Sequence, residues 1–179
     1  MMGKKWLMPG ITLMIAAVLV FAGAQVLEPV AEKNRAAQRQ WMLSQLLPGA
    51  EEFVQEEYSG EDEVISAVYK AENGYVIETV TNGYAGEIVM LVGVNNDGSI
   101  SGLVVRDMKE TFGLGKQALS DADFLSQMLW NGTTLTVGEN VDAMSGATVT
   151  SKAIAKAVNS ASAFVTGADI DSSATEWGG

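Results

Sequence analysis

The chain has 179 residues, room for one ordinary globular domain with additional segments. It contains no Cys and no His, which excludes disulfides, thiolate nucleophiles, cysteine-held iron–sulfur or zinc sites and the usual general base. Nine of the eleven basic residues and all 22 acidic ones lie from Glu28 onward, a net charge of −13; such a surface argues against nucleic acid and against docking onto anionic lipid, and most of these charges serve solubility.

Chemistry in such a chain rests on hydroxyls, carboxylates, lysines or a borrowed cofactor, so redox work requires an imported electron carrier. No catalytic side chain and no metal site is expected.

The N-terminus reads as a membrane signal. Lys4 and Lys5 precede residues 6–27, which carry no formal charge and are long enough to cross a bilayer. Ala22-Gly23-Ala24 has the form of a signal-peptidase site, but the apolar run is long for a signal core. Residues 1–27 are therefore expected to be a single transmembrane anchor. The short basic terminus favours a cytoplasmic N-terminus with the body outside, against the competing Lys33, Arg35 and Arg39 on the other flank.

Residues 28–49 mix small, charged and apolar types, with Trp41, Leu43, Leu46 and Leu47 gathered near the end and Pro48-Gly49 as the stop. They predict a stalk helix whose last turns dock on the body. Residues 50–63, acidic around Phe53 and Tyr58, read as a solvated connection with some local helix.

The body, 50–166, opens with β-branched and aromatic runs at 64–69, 75–81, 87–94 and 100–106. Asn95-Asn96-Asp97-Gly98 is a strong hairpin signal, and Asn82-Gly83 marks a second turn. Residues 120–130 predict a short helix with Phe124, Met128 and Leu129 facing inward, and 133–137 a short strand. Asn131-Gly132-Thr133 fits a glycosylation acceptor or a plain turn. Strands first and helices afterwards give an α+β fold with an antiparallel sheet and flanking helices. Residues 167–179 are small, polar and acidic, and read as a mobile tail.

Residues 142–151, Asp-Ala-Met-Ser-Gly-Ala-Thr-Val-Thr-Ser, then lead into an apolar stripe of Ile154, Val158, Ala161 and Val165 at helical spacing. Hydroxyl residues ahead of such a stripe cap a helix, and Thr150 and Ser151 are the expected caps. The free amides and dipole of the same turn also suit a phosphate. The residues by themselves leave both readings open.

Asp142-x-x-Ser145-Gly146-Ala147-Thr148 resembles the flavinylation motif of FMN-binding domains in the G subunit of the Rnf electron-transport complex and the C subunit of the Na+-translocating NADH:quinone reductase. A second stretch, Glu110-Thr111-Phe112-Gly113-Leu114-Gly115-Lys116, is a loop on its own terms; it lacks the dinucleotide-binding and P-loop patterns. It resembles the Glu-Thr-Pro-Gly-Leu-Gly segment of the same families, with Phe112 in place of Pro, and Met108 stands where His is common. Residues 83–88 and Val92-Gly93 also fit the family pattern.

The resemblance implies covalent FMN, esterified through its phosphate to Thr148 by a separate flavin transferase that reads Asp142 and Ser145. Small Gly146 and Ala147 would leave room for the phosphate. Glu110, Thr111, Gly113, Leu114 and Gly115 would line the flavin, with Leu114 and Met144 at the ring system. Lys152, best placed, together with Lys116 and Lys156, would offset the phosphate charge. The implied setting is the cell membrane and a complex coupling ferredoxin:NAD+ electron transfer to Na+ or H+ movement, with the complex's other members and lipid as partners. The alternatives are the quinone-reductase protein and a non-catalytic, membrane-anchored binding or assembly module.

Overall fold

The computed structural model describes residues 13, 14, 16, 28, 29, 31–108, 121–129 and 134–168. Two compact units divide the chain, one ending at Trp41 and one beginning at Met42. Of the expected anchor only Leu13, Met14 and Ala16 are described, and they are helical and exposed. Among the described residues no helix is long and apolar enough to cross a membrane. Most of the tail, from residue 169, and the glycine-rich stretch 109–120 lie outside the described residues.

Helix α1 covers 31–46, and its last turn belongs to the second unit. The core of that unit is one antiparallel sheet in simple meander order: β1 (Val54–Glu56), β2 (Ile65–Ala71), β3 (Gly74–Asn82), β4 (Glu87–Asn95) and β5 (Ile100–Met108). Strands β2 to β5 form where β-branched and aromatic residues are concentrated. β4, the most apolar, is buried on both faces because a helix covers each side. The hairpin at 95–98 is closed by the Gly98 amide donating to Asn95 O (2.9 Å) and by the Ser99 hydroxyl and amide donating to Asp97 (2.6 and 3.0 Å).

One face of the sheet packs against helix α3 (Thr148–Thr166) through Ile77, Ile88, Met90, Val92, Ile154, Ala157, Val158 and Ala161. On the other face, Leu43, Leu46 and Leu47 of the α1 end cover Tyr69, Val76 and Leu91. The second contact depends on missing side chains. A Cβ at Gly93 would stand 2.2 Å from Leu46 O, and Gly93 pairs across the sheet with Gly102. The α1 end thus seats on bare backbone, where the Ser101 hydroxyl donates to Leu46 O at 2.6 Å.

Several expectations need correction. Residues 50–63 contain no helix: Phe53 is buried in the α1 face of the core, and the residues after it form edge strand β1 against β2. The expected strand at 133–137 is, over its described part, only a single bridge from Val137 to Val141. Side chains take the backbone groups a neighbouring strand would need. Asn159 donates to Leu135 O and accepts from Leu135 N (2.9 and 2.8 Å), and Asn140 does the same for Thr134 O and Thr136 N (2.9 and 2.7 Å). Helix α2 is confined to Ala122–Ser126, capped by the Asp121 carboxylate accepting from Phe124 N. It buries Phe124 and, just beyond, Met128, whereas Leu129 is exposed because the helix has already ended.

Candidate functional site

Residues 144–147 form a tight turn, with the Ala147 amide donating to Met144 O at 2.9 Å and Gly146 at φ +77°. Positive φ at the third position of a turn is what a glycine supplies. The turn delivers the chain directly into α3, whose N-cap is Ala147, with no side-chain capping bond. Thr150 and Ser151 therefore do not cap the helix. Both are buried in its first turn, and the Ser151 hydroxyl donates to Ala147 O (2.9 Å) while accepting from Met144 N (3.3 Å). Ser151 thus braces the turn from inside. A helix start without a capping side chain keeps first-turn amides and the positive end of its dipole available.

From Thr148 to Ala161 nearly every residue of α3 is buried. The four that are not, Thr148, Val149, Lys152 and Lys156, all line one cleft of about 600 Å³. Thr148, Lys152 and Lys156 follow each other at four-residue spacing, which places them on one helix face. The opposite wall is the end of β3 with the segments beside it: Val80, Thr81, Asn82, Gly83, Glu63 and Val64.

Two features put polar groups at the cleft. Thr81 is only 4% exposed, and its hydroxyl oxygen is buried with no hydrogen-bond partner among the described residues. Such a group costs roughly 1–3 kcal/mol when left unsatisfied. The second feature is unpaired charge. Among the described residues of this unit, Lys70 bonds Glu56 and Arg106 bonds Glu78, while Lys152 and Lys156 have no carboxylate within salt-bridge distance. Two free ammonium groups, an exposed hydroxyl and an uncapped helix start converge on one space, with Glu63 the carboxylate in its wall.

The expected site residues divide sharply. Thr148 and Lys152 come together in the cleft, and Lys156 joins them. Ser145 and Gly146 are exposed in the turn, and Met144 packs, half-buried, against the core. Ala147 does not face the cleft: it is buried in the core, so its small size serves helix packing. Asp142 is exposed, and its amide donates to the Gln127 side chain at 2.8 Å. Glu110, Thr111, Gly113, Leu114 and Gly115 fall outside the described residues. Sequence reasoning missed Thr81, whose signal was the Thr79-x-Thr81 alternation that puts two hydroxyls on the helix-covered face of β3.

A family model described as FMN-binding domain matches residues 83–163, which include Thr148, Lys152 and Lys156. Among curated proteins, the chain is 36% identical over 95 residues to the G subunit of the Na+-translocating ferredoxin:NAD+ oxidoreductase complex of Acetobacterium woodii; the match covers 48% of this chain and 46% of that relative. It is 30% identical over 171 residues to the G subunit of the proton-translocating ferredoxin:NAD+ oxidoreductase complex of Clostridium ljungdahlii, covering 87% of each. The G subunit of the ion-translocating oxidoreductase complex of Methanosarcina acetivorans is 32% identical over 145 residues, 73% of this chain and 77% of that one. With so much of both chains aligned, the protein belongs to the G-subunit family of ion-translocating ferredoxin:NAD+ oxidoreductase complexes, and residues 83–163 of it match the FMN-binding domain.

Proposed function

We propose that the protein is the FMN-carrying electron-transfer component of a membrane-bound, ion-translocating ferredoxin:NAD+ oxidoreductase, with FMN joined through its phosphate to the Thr148 hydroxyl. The observation that carries this reading is the exposed position of Thr148, the first residue of an uncapped helix, in a cleft beside Lys152, which has no carboxylate partner among the described residues. The residues present fit a phosphate. First-turn amides of α3 face negative charge favourably, Lys152 supplies a compensating charge one turn on, and the orphaned Thr81 hydroxyl gains the partner it lacks.

Bound there, FMN supplies a two-electron carrier that a chain without Cys or His does not have. The protein's own residues bind and orient. Thr148 anchors, Lys152 balances charge, Thr81 offers a hydrogen bond from the sheet side, and Ser151 holds the turn that aims the anchor. Attachment has a physical logic for a chain whose residues from Glu28 onward carry a net charge of −13: an anionic cofactor is repelled at long range, and a tether keeps its local concentration high regardless of affinity. The transfer is performed by a separate flavin transferase that reads the exposed Asp142 and Ser145 ahead of the acceptor. Residues 1–27 anchor the chain in the cell membrane, N-terminus inside, with the FMN domain on the other side and neighbouring members of the complex as electron partners.

The test is a denaturing gel of full-length protein co-expressed with its transferase. Flavin fluorescence and the added mass of FMN less one water should accompany the wild type and Thr150→Ala, and disappear in Thr148→Ala. Fluorescence retained in Thr148→Ala would move the attachment elsewhere. A wild type with no label would favour a non-catalytic binding module.

A further inference from the structure

The cleft sets two lysines, Lys152 and Lys156, beside one carboxylate, Glu63. A phosphate esterified on both sides carries one negative charge, and Lys152, one helical turn from Thr148, balances it. Lys156 is a second turn farther along the same face, about 12 Å from Thr148 at 1.5 Å per residue, and it too lines the cleft without a carboxylate partner among the described residues. Lys70 and Arg106, by contrast, are both neutralised by glutamates. In a chain with twice as many acidic as basic residues, a lysine that avoids pairing beside a cofactor cleft marks a place where negative charge appears.

Reducing a flavin by two electrons with uptake of one proton leaves it one charge more negative than before. We propose that Lys156 sets the reduction potential of the FMN held in this cleft, by offsetting the charge that reduction adds. This rests on the Thr148 attachment reading and deepens it. Lys156 acts as a positioned charge and takes no part in attachment. Glu63, the carboxylate that also lines the cleft, opposes it, and the two together fix the local balance.

The experiment is an equilibrium redox titration, with dithionite as reductant and a mediator dye, of full-length wild type, Lys156→Met and Lys156→Arg. Each is first checked for flavin label by intact mass and gel fluorescence. All three are expected to carry the label equally. In Lys156→Met the ratio of reduced to oxidised cofactor at a fixed ambient potential should fall about tenfold, about 30 mV for a two-electron couple. Lys156→Arg should restore it, because charge and not the ammonium group is what matters. Glu63→Gln provides a second variant with the opposite sign: it should raise the ratio. Equal labelling with an unchanged potential in both Lys156→Met and Glu63→Gln would overturn the assignment and leave attachment at Thr148 standing. Loss of label in Lys156→Met alone would overturn it as well, by moving Lys156 into attachment. An unlabelled wild type would remove the attachment reading and this inference together.

Discussion

Thr81→Val separates what the Thr81 hydroxyl costs the unlabelled protein from what it contributes to FMN binding. The Thr81 hydroxyl is buried with no partner among the described residues, and valine has nearly the same shape without the group that must be satisfied. Relieving an unsatisfied buried hydroxyl is worth about 1 kcal/mol or more. For a body of this size, that raises the melting temperature of unlabelled protein by about 4 °C. Toward a phosphate the sign reverses: a hydrogen bond to a charged acceptor contributes about 1.5–3 kcal/mol, so its loss weakens binding at least about tenfold. The assay pairs thermal denaturation of unlabelled protein with FMN titration by fluorescence, both in a Thr148→Ala background where binding is non-covalent. Thr79→Val is the internal control. Thr79 lies two residues back on the same face, is fully buried and equally without a partner, but does not line the cleft. It should gain stability and leave FMN affinity untouched. A Thr81→Val protein that loses stability, or binds FMN as tightly as its parent, would refute the reasoning.

Three further outcomes follow from the packing. Gly93→Ala drives a methyl into Leu46 O and must lift the α1 end off the sheet, exposing Leu43, Leu46 and Leu47; a loss of roughly 3 kcal/mol or more in urea denaturation is expected. Asn159→Ala leaves the amide and carbonyl of Leu135 unpaired; a loss of about 2–4 kcal/mol is expected, with faster hydrogen exchange at Leu135 than at core positions of α3. Hydrogen bonds from the Ser99 hydroxyl and amide hold the Asp97 carboxyl below the usual carboxylate range. Its contribution to the hairpin is therefore present above the ordinary Asp pKa and lost as pH falls through the lowered one. An NMR titration of the Ser99 amide should follow that lowered value.

Much of the sheet was legible because its signals are local. The β-branched and aromatic runs of β2 to β5 and the Asn-Asp-Gly hairpin each lie within a few residues. β1 was not legible, since Val54, Gln55 and Glu56 are all exposed; an edge strand with no buried side chain leaves no alternation to read. The segment at 134–137 looked like a strand by composition, but its fate depends partly on Asn159, 24 residues from Leu135. The helix side of the cleft followed from the resemblance, which pointed to Thr148, Lys152 and Lys156; the structure sets them at four-residue spacing on one helix face. The sheet side did not follow from it: Thr81 reaches the cleft only because α3 packs across β3. Ala147 misled for a related reason, as a small residue in a phosphate motif proves to be small for the core.

The central claim is that the Thr148 oxygen carries the cofactor, and peptide mapping tests it most directly. Trypsin should release residues 117–152 from protein made in cells that hold the transferase, and fragmentation should place FMN less one water on Thr148. An unmodified Thr148 in that peptide, or the added mass on Ser145 or Thr150, would contradict the account.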